Sequence, residues 1–319
     1  MQKIGLALGS GSARGFAHIG VINSIRDAGI RIDVVCGSSI GALVGGALAG
    51  NFLTGLEEMA RQLTWPDIIK FMDFLFPRSG FIEGDRITNY FREQFTDAKI
   101  ENLPLPFAAV ATDIMNGKEI WLQKGSLMDA IRASFSMPGI FTPCKNGEQW
   151  LVDGGLVNPV PVSLCRAMGA DIVVAVNLNS DIIGLPRYIN RKNRENGNGK
   201  TAKNSGKISQ FINSRLIPAL KRTEEKMTEE EISIFDVIAA SVNIMQDRMT
   251  KQRLAGDPPD LLITPRLADI GLLEFNRAAE AIEEGRVAMS YMVPLLKEMA
   301  EEKREKKYLR KNIQEGEKI

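Results

Sequence analysis

The spacing of apolar residues along the chain changes character several times, and each change marks an element. Ile4 to Leu8 is a short unbroken apolar run, the pattern of a strand buried on both faces. The glycine-rich stretch Gly9-Ser10-Gly11-Ser12-Ala13-Arg14-Gly15 ends it, and Phe16, Ile19, Ile22 and Ile25 then recur at helical spacing. The same signals repeat at once. The β-branched run Ile32 to Cys36 leads through Gly37-Ser38-Ser39 into a helix of small apolar residues, Ile40 to Leu48. Two βα units in series predict an α/β fold with a mostly parallel sheet and helices on its faces.

From residue 51 to about 100 the pattern becomes helical and aromatic-rich: nine of the 21 aromatic residues lie between Phe52 and Phe95. This segment reads as a helical insertion. Strand signals return with Phe107 to Thr112, with hairpins at Asn116-Gly117 and Asn146-Gly147, with Trp150 to Asp153, and with the β-branched run 171–178. Residues 187–207 hold seven Lys/Arg and one Glu among Asn, Gly and Ser and have little to bury, so they predict a basic flexible loop. Beyond it, 208–250 and 275–310 have helical periodicity, with a late strand at 260–264. The expected organisation is a core over 1–180 carrying the insertion, then the basic loop, then a helical region over 208–319 that completes the domain and ends in a charged tail.

Composition narrows the function. Forty Lys+Arg against 39 Asp+Glu leave no global field of the kind that draws a protein onto nucleic acid, so no nucleic-acid partner is expected. No apolar run approaches the ~20 residues that span a bilayer, and no secretory leader pattern opens the chain. Cys36, Cys144 and Cys165 lack metal-ligand spacing and fit buried thiols in a reducing compartment. The expectation is a cytoplasmic protein without a metal or cofactor. The basic 187–207 stretch is the candidate for peripheral contact with an anionic membrane at its inner face.

Gly37-Ser38-Ser39-Ile40-Gly41 fits G-x-S-x-G where a buried strand meets a helix, the place where an elbow exposes a nucleophilic serine. Only Ser39 holds the central position. The 9–15 loop at a helix N-terminus offers backbone N–H groups to an anion. Its glycines at 9, 11 and 15 depart from a dinucleotide fingerprint, and Asp33 opens the second strand where an acidic residue should close it. The single histidine, His18, precedes Ser39, which excludes the Ser…Asp…His order and favours a packed, structural role for it. That favours a carboxylate as base over His18, and Asp153-Gly154-Gly155 at a strand end is the best candidate; Asp113 reads as structural.

The glycine loop with Arg14-Gly15, the Ser39 elbow and Asp153-Gly154-Gly155, in that order, resemble the bacterial patatin-like phospholipase family. The likeness extends through Gly15-Phe-Ala-His-Ile-Gly20, Ala111-Thr112-Asp113, Ser136-Met-Pro-Gly139 and Asn158-Pro-Val-Pro161. It implies a three-layer α/β/α fold and a Ser-Asp dyad, with Ser39 as nucleophile and Asp153 as base. Backbone N–H groups of Gly11, Ser12, Ala13 and Arg14 would form the oxyanion hole, and Gly9, Gly15, Gly37, Gly41, Gly154 and Gly155 would shape the motifs. It also implies a phospholipid or lysophospholipid substrate. Ser10 and Ser12 stand where glycine is common in that family. Two readings follow: a lipid acyl hydrolase, or a catalytically weak lipid-binding or regulatory protein on the same fold. Arg14 has two candidate roles, holding a lipid phosphate or bracing its loop. The aromatic insertion has four: acyl groove, interfacial lid, homodimer face or a small core of its own.

Overall fold

The computed structural model describes residues 2–71, 85–94, 97–138, 140–181 and 234–301. The basic 187–207 segment, most of the charged tail, and Phe74, Phe76, Phe81 and Phe95 of the insertion lie outside the described residues.

One sheet organises the chain. Its strands are β1 (Ile4–Leu8), β2 (Val34–Ser38), β3 (Phe107–Asp113), β4 (Glu119–Leu122), β5 (Cys144–Asn146), β6 (Gln149–Asp153), β7 (Ile172–Val176) and β8 (Leu261–Ile263), in the order β5-β6-β3-β2-β1-β7-β8, with β4 also paired to β3. The run β3-β2-β1-β7-β8 is parallel, and the β3–β4, β3–β6 and β5–β6 pairings are antiparallel. The two expected hairpins form, with Gly117 and Gly147 supplying the positive φ of 69° and 61° that their turns require.

The central strands are buried along their whole length and mostly apolar because both faces are covered. Leu6, Leu8, Val35, Phe107, Ala109, Val174 and Val176 point into the larger core. That core is closed by α1 (Ala17–Asp27), α2 (Ile40–Ala49), α3 (Leu53–Gln62), α6 (Leu127–Ser134) and α9 (Ala278–Ser290). Ala7, Val34, Cys36, Ala108, Val110, Val173 and Ala175 face the opposite way, against α7 (Val162–Ala167) and Leu254 of α8 (Ile234–Gly256). The result is three layers, α/β/α, as expected.

Two shorter helices, α4 (Trp65–Phe71) and α5 (Asp85–Gln94), belong to the insertion. The helical stretch read over 275–310 is interrupted. A 3-10 turn over Phe275–Arg277 precedes α9, and a turn at 291–292 separates α9 from a further helix at 293–301. The late strand joins the sheet as β8, and α9 crosses α1 at very short range. A Cβ on Gly20 would lie 1.8 Å from the Ile282 carbonyl oxygen, and one on Gly285 1.9 Å from that of Ala17.

Candidate active site

The elbow at the end of β2 is built by steric necessity. A Cβ on Gly37 would lie 2.2 Å from the Gly41 carbonyl oxygen, and a Cβ on Gly41 2.2 Å from that of Leu8. Both positions therefore accept only glycine. Between them Ser39 has φ 57° and ψ −124°, a combination outside the regions open to ordinary L-residues. Its N–H donates to Ser134 Oγ at 2.9 Å, and that hydroxyl donates to the Val110 carbonyl at 2.6 Å.

Strand register brings the second group to Ser39. On β3, Val110 is the partner of Ser38, where β2 ends; the next residue, Ala111, is the partner of Asp153, where β6 ends. Two strands running in opposite directions thus finish on adjacent rungs. The Ser39 hydroxyl donates to Asp153 Oδ2 at 2.6 Å, and the Gly155 N–H donates to Oδ1 at 2.7 Å. The main chain of Asp153 is fixed at both ends, its N–H donating to the Ser136 carbonyl and its carbonyl accepting from Thr112 Oγ1. Gly154 is again forced, since a Cβ there would lie 2.2 Å from the Val110 carbonyl oxygen; at Gly155 a Cβ would crowd side chains only, Gln246 Nε2 at 2.6 Å and Asp153 Oδ1 at 2.9 Å. Burial raises the Asp153 carboxyl from 3.8 to about 6, the hydrogen bonds from Ser39 and Gly155 acting in the opposite direction.

The glycine loop lies beside this pair. Gly9 N–H donates to Val176 and Ser10 N–H to Pro159, while residues 12–16 form a 3-10 turn entered through Ser12 at φ 52°. Gly15 permits the approach of α2, since a Cβ there would meet Ile40 at 2.2 Å. Of the four N–H groups expected to face an oxyanion, two have acceptors in this state: Ala13 donates to the Leu272 carbonyl at 3.1 Å and Arg14 to that of Gly11 at 3.2 Å. The Ser12 hydroxyl also donates to Leu272, at 2.6 Å.

Arg14 is buried, with Nε donating to the Gly11 carbonyl and an Nη to Asn243 Oδ1. Burial lowers its pKa to about 10, with Asp181 opposing that shift. Of its two candidate roles the geometry supports bracing the loop. His18 does the same from the first helix. Its Nε2 is 2.7 Å from the Gly9 carbonyl, an acceptor only, so Nε2 carries the hydrogen. Burial lowers this imidazole to about 4, the Gly9 hydrogen bond opposing, and it is neutral at physiological pH. Asp113 holds its hairpin by accepting from Met115 N–H, Asn116 and Gln149.

Above Ser39 opens a cleft of about 1000 Å³ including its mouth, with almost wholly apolar walls. Ile40 and Leu43 come from α2, Met59 and Leu63 from the end of α3, and Ile68, Tyr90 and Phe91 from the insertion helices. The opposite wall is Phe135, Met137, Ile140 and Phe141, with Leu273 and Phe275 closing one end. Several of these contributors carried no sequence signal of their own. The same holds for Ser134, for Asn243 and Gln246 on α8, and for Leu272, all of which reach the site from distant segments. Among the described residues no cluster of His, Cys, Asp and Glu side chains is arranged to hold a metal ion, and no helix is long and apolar enough to cross a membrane.

The family profile described as "Patatin-like phospholipase" matches residues 6–166, which includes the loop, the elbow and Asp153. An uncharacterized NTE family protein of Mycobacterium tuberculosis is 33% identical over 321 residues, covering 89% of both chains. A protein named lysophospholipase in Yarrowia lipolytica is 34% identical over 186 residues, covering 56% of this chain and 13% of its own length. Among solved structures, VipD from Legionella pneumophila matches over 94% of this chain and 77% of its own, at 12% identity and a TM-score of 0.39.

Proposed function

The chain belongs to the patatin-like phospholipase family, and from that premise we propose that it is a lipid acyl hydrolase using Ser39 as nucleophile and Asp153 as base. The observation that carries this reading is the 2.6 Å hydrogen bond from the Ser39 hydroxyl to Asp153, set at the floor of an apolar cleft. A serine hydroxyl is a weak nucleophile until a positioned base takes its proton. Asp153 is buried and points one carboxylate oxygen at that proton, with the other held by Gly155.

In the proposed reaction the fatty acyl chain lies in the cleft with its ester carbonyl over Ser39. Ser39 Oγ adds to the carbonyl carbon as its proton passes to Asp153. The oxyanion so formed is met by the N–H groups of Gly11 and Ser12, with Ala13 and Arg14 next along the same turn. Collapse expels the alcohol, which takes the proton from Asp153 and leaves an acyl-Ser39 ester. Water, deprotonated by Asp153, then releases the fatty acid and restores the hydroxyl. The chain's own groups supply each proton transfer, and His18 takes no part because its N–H is committed to Gly9.

The substrate proposed is a phospholipid or lysophospholipid. Supporting this are the apolar lining, the family, and the name of the Yarrowia relative. The insertion helices supply one wall of the cleft, which favours the acyl groove among the roles open to them. Hydrolysis of a fatty acyl ester by the purified protein, lost in Ser39→Ala and Asp153→Asn and retained in His18→Asn at temperatures where it is folded, is the expected result. Lipid binding without turnover in the wild type would instead establish a binding or regulatory protein.

A further inference from the structure

Resting on that reading, we propose that the last turn of α6 is the positioning device of the site, with Ser134 setting the nucleophile and Arg132 setting the acyl wall. Both side chains are buried, at 0% and 5% exposure, in a place where apolar residues would suffice for packing. Burying polar groups costs stability unless their hydrogen bonds are made, so the contacts they make locate their purpose.

Ser134 links two elements through one oxygen. It accepts from the Ser39 N–H and donates to the Val110 carbonyl of β3, so the strained elbow is referenced to the strand on which β6, carrying Asp153, is paired. Arg132 works on the other side of the same turn. One Nη donates to Ser136 Oγ at 2.6 Å and the other to the carbonyl and hydroxyl of Thr142 at 3.2 Å each, spanning the loop that forms the cleft wall. Its guanidinium carbon lies 5.6 Å from the ring centroids of both Phe135 and Phe141, which meet edge to face at 5.3 Å and line the cleft. Ser136, which Arg132 holds, gives its carbonyl to the Asp153 N–H. One helical turn thus contacts the nucleophile's main chain and the acyl wall, and reaches the base through Ser136. Neither residue reaches the reacting atoms; both act through others.

The two roles separate in kinetics, using p-nitrophenyl butyrate and p-nitrophenyl palmitate in mixed micelles. Ser134→Ala should lower kcat on both esters by about tenfold or more, with KM within about twofold, and Ser134→Thr, which keeps the hydroxyl, should recover most of it. Should the alanine variant lose its thermal transition, Ser134→Cys is read in its place. Arg132→Met and Arg132→Lys should instead shift the palmitate-to-butyrate ratio of kcat/KM by about fivefold or more, because a loosened wall alters how chain length is sensed. With rates normalised to the folded fraction, an unchanged kcat in Ser134→Ala, a Ser134→Thr variant as impaired as Ser134→Ala, or Arg132 variants that keep the wild-type palmitate-to-butyrate ratio would overturn the assignment. If the wild type hydrolyses neither ester and takes up no fluorophosphonate, the hydrolase reading itself fails, and the positioning roles fail with it.

Discussion

At the scale of single residues, the chemistry and the stability of this site pull against each other at Asp153. Its carboxyl is raised from 3.8 to about 6 by burial, so the base form that accepts the Ser39 proton prevails only above that pH. kcat/KM should therefore rise with pH through about 6 and level off, as a pH–rate profile on a neutral ester would record. The same shift acts on folding with the opposite preference. A carboxyl that ionises at 3.8 when unfolded and about 6 when folded favours the fold below 3.8, and that contribution is lost as pH rises through 6. At pH 8 the buried charge is a burden on the order of 3 kcal/mol. Asp153→Asn should thus raise stability toward denaturant at pH 8 by up to that amount and leave it nearly unchanged at pH 4, while abolishing turnover. His18 has the reverse dependence. Lowered from 6.5 to about 4, it stabilises at neutral pH and loses that contribution as pH falls from 6.5 through 4. That Ser39 and Asp153 would be candidates, and that His18 would be packed, could be read from the sequence because motif, spacing and the count of histidines constrain them. Ser134 and Arg132 could not, since a serine or arginine in an amphipathic helix gives no sign of which main chain it will meet.

Among the elements, the βα units and both hairpins could be read from periodicity and turn residues, because these depend on neighbours in sequence. Register could not. That β2 and β6 end on successive residues of β3 is a long-range fact, and it is what converts two separate motifs into one hydrogen bond. The α1–α9 crossing is hidden for the same reason. Gly20 and Gly285 look like ordinary helix glycines, yet each admits the other helix's backbone at a distance no Cβ tolerates. Gly20→Ala and Gly285→Ala should each destabilise by about 2 kcal/mol or more, measured by chemical denaturation, although alanine has the higher helix propensity. A gain in stability from either would mean the helices separate more readily than their packing implies. Because α1 carries His18, the loosening should reach the glycine loop, and turnover should fall before the global transition does.

For the molecule as a whole, the sheet fixes the Ser39–Asp153 pair and the later additions wall the cleft above it. The insertion and the segment around Leu273 and Phe275 wall a cleft whose character is apolar from floor to mouth. The aromatic bias of residues 52–95 was visible in the sequence, but its use was not, since clustered aromatics serve equally for a groove, a lid or a core. A bulky side chain in that wall tests the assignment: Met59→Trp should reduce turnover of long-chain esters more steeply than of short ones, whereas a satellite core would lower both alike through stability. All of this depends on Ser39 being the group that attacks. The most direct measurement is the intact mass of the purified protein after exposure to a fluorophosphonate, followed by mapping of the modified peptide. A single adduct on Ser39, absent from Ser39→Ala and strongly slowed in Asp153→Asn, is the expected result; an unmodified wild-type protein, or an adduct that persists in Ser39→Ala, would contradict it.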